Sequence, residues 1–149
     1  MKRLLILCAA LGLMGTAASA QDKKVMHCFA FTEIATATPE EWKAFDKATD
    51  ALTGQIPGLT KVFHGKLSRP MSLIQTDPSA DAEAVKKLRT GETVAVPVKI
   101  LRRQYGVCME FASPEALAAY AKHPAHDSWM KAYEKVRVAG TTTIDILGQ

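Results

Sequence analysis

Cysteine is scarce in this chain, with three residues in 149, and aromatics make up only 7%. So few cysteines exclude a disulfide-dense miniprotein, and none is spaced as a CxxC pair or a Cys/His metal cluster. The glycine-rich loops GxGxxG and GxxxxGKS/T are missing, which excludes the usual dinucleotide and nucleotide sites. GxSxG and HExxH are missing too, so neither an α/β-hydrolase nor a zinc protease is indicated. There is no long basic run and no interleaving of basic with aromatic residues, so nucleic acid is not an expected partner. No repeat occurs at solenoid spacing.

What is present suits one folded domain. Hydrophobic residues make up 48% and charged residues 23%, a balance that supports a core and excludes a wholly disordered chain. The formal charge is +4, but part of it sits at the N-terminus. Lys2 and Arg3 precede the apolar run Leu4 to Leu13, and Ala18-Ser19-Ala20 offers a small-residue cleavage site. A basic start, an apolar centre and a small-residue exit predict a secretory signal over residues 1–20. The apolar run is shorter than the roughly 20 residues of a membrane span. Cleavage lowers the charge to about +2 and leaves residues 21–149 as the mature domain, periplasmic or extracellular and free of the membrane. Of the cysteines, Cys28 and Cys108 then remain. Export permits a disulfide between them, although two small buried hydrophobes is the plainer expectation.

The patterning predicts strand, helix, strand, then an irregular arm, then strand, helix, strand. Lys24 to Phe31 alternates, with His27, Phe29 and Phe31 on one face and Met26, Cys28 and Ala30 on the other. Thr38-Pro39-Glu40-Glu41 opens a helix with a capping box, and Pro57-Gly58 ends it. Trp42, Phe45, Thr49, Leu52 and Ile56 form its apolar stripe. Leu59 to Leu67 reads as the second strand. Ser79-Ala80-Asp81 could open a short helix to Arg89, and Val94 to Leu101 has strand character spoiled by Pro97. Gln104 to Phe111 is the third strand, with Tyr105, Val107, Met109 and Phe111 sharing a face. Ser113-Pro114-Glu115 starts another helix, which His123-Pro124 interrupts. A further helical piece runs from about Asp127 to Val138, Gly140 ends it, and Thr141 to Leu147 is the last strand. This order gives an α+β, ferredoxin-like βαββαβ fold with an insertion between the second and third core strands. The sheet face bearing His27 and Tyr105 is assigned to the helices. The opposite face is apolar enough to expect cover by a second subunit.

VMHCFAF, IPGLTKVFHGK and YGVCMEFASPEALAAYAKHPAHDSW together resemble the stress-responsive A/B barrel (Dabb) family. The resemblance spans most of residues 24–147, except an insertion over 71–102. It implies a homodimeric α+β barrel whose two sheets face each other, and it implies no single activity. Plant members of the family include polyketide cyclases that close a linear chain by aldol condensation, without a cofactor. By that resemblance Tyr120 and His126 fall on the acid-base pair, and His27 falls on a histidine lining the same pocket. Tyr105 stands where those enzymes have a further strand histidine.

Three functional readings follow. The first is an exported protein that binds a small apolar molecule between sheet and helices, in a pocket lined by His27, Phe29, Tyr105, Val107, His123, Tyr120, His126 and Trp129. The second is a lyase or cyclase of aldol type, with neutral His126 as base and the Tyr120 phenol as acid. The third is a structural or stress-related dimer in which the histidines only hold the bend between two helices. His123 fits a helix cap better than a ligand, His27 fits a bonded core histidine, and His64 fits the surface or rim. Pro124 removes the geometry of a helical histidine pair, so no metal is expected.

Overall fold

Alternation along Val25–Glu33 sets the frame of the fold. In the computed structural model, which describes residues 23–148, this segment is strand β1 and carries Phe29 and Phe31 into the core. The expected signal over residues 1–20 lies outside the described residues. Helix α1 (Pro39–Gln55) begins where local chemistry places it. The Thr38 hydroxyl accepts from the Glu41 backbone N–H, and the Glu41 carboxylate accepts from the Thr38 N–H at 2.9 Å. The stripe of α1 is Phe45, Thr49 and Leu52, all fully buried.

Strand β2 (Leu59–Thr76), helix α2 (Ala82–Arg89), strand β3 (Val98–Phe111), helices α3 (Pro114–Tyr120) and α4 (Pro124–Val136), and strand β4 (Arg137–Leu147) follow. The sheet order is β2-β3-β1-β4, and every neighbouring pair is antiparallel. This is the expected α+β, ferredoxin-like arrangement. One face carries the helices, and between the layers lie Val25, Phe31, Phe45, Leu52, Val107, Met109, Phe111 and Val136. Removing a large buried aromatic such as Phe31 or Phe45 from a core of this kind costs roughly 3–5 kcal/mol. Among the described residues no helix is long and apolar enough to cross a membrane.

The structure revises several boundaries. The arm over 71–102 is not irregular: β2 and β3 run on past the sheet as one long hairpin, paired from Met71↔Arg103 to Thr76↔Val98. Pro97 falls just before β3, where its missing N–H breaks no ladder. Helix α2 caps the tip, with the Asp81 carboxylate accepting from the Ala84 N–H. Helix α4 starts at Pro124 rather than Asp127, because proline suits a first turn. It ends at Val136, and Gly140 (φ 93°) lies within β4 instead of closing the helix.

The two faces of β4 are inverted relative to a simple amphipathic strand. Its register with β1 puts Thr141, Thr143 and Asp145 beside Phe31, Phe29 and His27, on the helix side. Ile144 and Ile146 point outward instead, at 53% and 57% exposure, and Phe63 of β2 joins them at 79%. Cys28 and Cys108 are direct neighbours across β1 and β3 on this outer face and form a disulfide. The plainer expectation of two buried free thiols is therefore corrected. Both side chains lie on the uncovered face rather than in the core, and the β-ladder brings residues 80 apart in sequence to a Cα separation of 4.1 Å.

Candidate functional site

Four elements meet around one cavity of about 180 Å³ between the sheet and helices α3 and α4. Strand β1 supplies His27 and Phe29, and the end of α3 supplies Tyr120. Helix α4 supplies His126, Trp129, Met130 and Tyr133 at spacings of three or four, one face of a helix. Arg137, Thr141 and Thr143 close it from β4. The alignment of α4 comes from His123, whose Nδ1 accepts from the Ala125 N–H at 3.2 Å. Trp129 is fixed as a wall because its indole N–H donates to the Thr49 hydroxyl at 2.9 Å, and that hydroxyl donates to the Phe45 carbonyl.

Tyr120 and His126 stand edge to face, with ring centroids 4.6 Å apart. His27 lies 6.2 Å from the Tyr120 ring. His27 Nδ1 is 2.6 Å from the Asp145 carboxylate. A carboxylate only accepts, so Nδ1 donates to it and Nε2 is left facing away from Asp145. Burial raises the Tyr120 phenol well above its ordinary value of 10.0, so it remains an O–H donor at neutral pH. Burial lowers His126 from the ordinary 6.5; Asp127 opposes that shift and His27 adds to it. His126 is therefore a neutral imidazole at pH 7. The site thus joins a phenol donor to the neutral His126 imidazole, with the His27 ring beside them, a set able to give and take a proton beside a carbonyl. Among the described residues no group of three or more His, Cys, Asp or Glu side chains could hold a metal.

A linkage effect follows from His126. Its lowered value makes the unfolded chain take up a proton first as pH falls below 6.5. Stability attributable to this group is complete above pH 6.5 and is lost as pH falls below it. Urea midpoints of His126→Gln should therefore fall less steeply than wild type between pH 6.5 and 5. Equal slopes would show that His126 keeps an ordinary value.

Of the sequence candidates, the fold brings together Tyr120, His126, His27, Phe29 and Trp129. His123 stands apart as the α4 cap. Val107 is core, at 1% exposure. Tyr105 shares the helix-side face, but β3 lies under α1, whereas the cavity lies over β1 and β4. Its hydroxyl donates to Asp46 at 3.0 Å and also meets His64 Nδ1 at 3.0 Å. His64, expected at the surface or rim, lies part-buried on edge strand β2, with its side chain 13% exposed and Nε2 3.0 Å from the exposed Asp50. Sequence reasoning missed Asp145, Tyr133, Arg137, Thr141 and Thr143. The inverted polarity of β4, with threonines and an aspartate inward and isoleucines outward, is the signal that could have found them.

No family model matches the chain, and no curated protein matches it. Solved structures do share its fold. A protein of Arabidopsis thaliana is 19% identical, with a TM-score of 0.54, over 82% of this chain and 92% of its own. A dimeric ferredoxin-like protein of unknown function from Thermobifida fusca is 17% identical, with a TM-score of 0.53, over 85% and 92%. The hydroxynitrile lyase of Passiflora edulis is 11% identical, with a TM-score of 0.54, over 85% and 94%. At these identities the likeness shows the fold, which in one of these proteins carries a lyase and in another has no assigned role.

Proposed function

We propose that this is an exported, homodimeric protein of Dabb type that binds a small, largely apolar molecule in the cavity over β1 and β4. The observation that carries the reading is the open cavity lined by Tyr120, His126 and His27 together. Plain core packing would have filled that space with Trp129 and Phe45. The residue motifs of the Dabb resemblance and the shared fold agree with it. The disulfide suits an oxidising compartment, which favours export. A thermal-shift screen of residues 21–149 against small aromatic and carbonyl compounds tests the reading, because a ligand that binds only the native state raises its melting point. Hits that Trp129→Ala abolishes support this site. Hits that survive that change, or a screen without hits, oppose it.

The homodimer would form through the uncovered sheet face. Phe63, Ile144 and Ile146 are exposed there, and the Thermobifida fusca neighbour is described as dimeric. Phe63→Glu should shift the protein to monomer in sedimentation at micromolar concentration, with the circular dichroism of the fold unchanged. A wild-type monomer under those conditions would refute the dimer.

A second reading rests on the Tyr120–His126 pair itself. In an aldol-type lyase or cyclase, neutral His126 removes a proton next to a carbonyl. The Tyr120 phenol donates to the enolate oxygen as charge develops on it. The enolate carbon then attacks the second carbonyl, and the His126 imidazolium returns its proton to the alkoxide so formed, while His27, held by Asp145, lines the pocket. No cofactor takes part. The Passiflora edulis neighbour is a lyase, which makes the fold compatible with such chemistry.

A further inference from the structure

The cavity wall contains three buried polar atoms without a hydrogen-bond partner among the described residues: His126 Nδ1, the Tyr133 hydroxyl and Arg137 Nε. Buried polar groups are normally paired, so three such atoms around one cavity need an explanation. Tyr133 is 3% exposed, and burial raises its phenol above the ordinary 10.0, so it presents a proton. The Arg137 guanidinium lies 4.5 Å above the Tyr133 ring, which holds both groups at the same end of the cavity. Among the described residues the one carboxylate that forms an ion pair with Arg137 is that of Glu134, 3.9 Å from Nη2 and 62% exposed, while Glu33, its cross-strand neighbour in β1, pairs with Lys66 at 3.8 Å.

The cavity is lined by one cation and by no Asp or Glu. Of the nearby carboxylates, Asp145 bonds His27, Glu33 pairs with Lys66, and Asp127 is 79% exposed to solvent. Arg103, 5% exposed, donates to Thr32 at 2.9 Å and more distantly to Thr142. It adds positive charge on the Tyr133 side. The remaining wall is apolar, with Phe29 and Trp129 packed edge to face at a centroid distance of 6.0 Å. A cavity of about 150 Å³ with apolar walls accepts benzene, so about 180 Å³ suits one ring with a small substituent.

We propose that the ligand of this cavity is a small aromatic or unsaturated carboxylic acid, bound as the anion. Its carboxylate accepts from Arg137 Nε and the Tyr133 hydroxyl. Its flat body lies against the Phe29 and Trp129 wall, and its other end reaches Tyr120 and His126. This rests on the cavity being the ligand site and adds the charge and shape of what fills it. Arginine is suited to the role because its planar fork matches a carboxylate.

Benzoate and benzamide test the idea, since they share shape and differ in charge. Titration calorimetry at pH 7.5 should show wild type binding benzoate roughly tenfold or more tighter than benzamide. Tyr133→Phe keeps the ring and the arginine stack, and it should bring the ratio toward one with little change for benzamide. Arg137→Gln should do the same, with folding checked by circular dichroism. Equal binding of both probes by wild type would overturn the carboxylate assignment while leaving the cavity as a ligand site. So would a preference for benzoate that both variants keep. Binding of neither probe would overturn the assignment together with the cavity reading on which it rests.

Discussion

Reduction of the Cys28–Cys108 bond is expected to lower the melting temperature by about 10 °C or more. The bond joins the centres of β1 and β3, and the chain between them holds α1, β2, the hairpin arm and α2. Tying residues 80 apart restricts the unfolded chain heavily. The chain-entropy relation puts a loop of that size at about 4.5 kcal/mol, and loss of native disulfides typically costs about 2–5 kcal/mol. The double variant Cys28→Ala, Cys108→Ala should melt near the reduced wild type and be indifferent to reductant. A thiol assay on the denatured, unreduced mature protein should find neither cysteine free. Two free thiols, or a melting point unmoved by reductant, would remove the bond from the account.

The second large effect concerns the proposed proton chemistry. The methyl protons of acetophenone exchange slowly with deuterated solvent at neutral pH, and the compound is a single ring bearing a carbonyl. Wild-type protein should accelerate that exchange, followed by proton NMR. Positioned acid-base groups typically contribute 10²–10⁴-fold. Tyr120→Phe and His126→Gln should each lose about 100-fold of the accelerated rate. Asp145→Asn should lose less, because Asp145 reaches the cavity only through His27. Exchange no faster than buffer would leave the protein as a binder. Exchange insensitive to all three changes would place the chemistry elsewhere.

Local chemistry explains why much of the fold was legible in the sequence. Helices α1 and α3 begin at a Thr or Ser cap followed by proline, and both the cap and the missing proline N–H act within four residues. The alternation of Phe29 and Phe31, and of Tyr105 to Phe111, fixed which sheet face lies under the helices. Where the partner is distant, the sequence carries less. Residues 71–76 pair with 98–103 in a hairpin beyond the core, so neither strand shows the apolar alternation that burial imposes. No glycine or proline separates α4 from β4, and the helix therefore looked longer than it is.

The site divides the same way. Tyr120, His126 and Trp129 lie within one local segment, and a resemblance of motifs could mark them. Asp145 is 118 residues from His27, and only the β1–β4 register makes them partners. Tyr105 shows the converse limit. Its face was correctly assigned, but alternation says nothing about position across the sheet, and β3 lies beneath α1 rather than over the cavity.

The most direct test of the account is where a small aromatic ligand binds. Isotope-labelled mature protein titrated with benzoate should show saturable NMR shifts at the Trp129 indole N–H, the His126 ring and the Thr143 amide, which surround the cavity. The Leu67, Gly106 and Ile144 signals on the outer sheet face should remain still. Shifts centred on that outer face, or no saturable shifts at the cavity residues, would contradict the account.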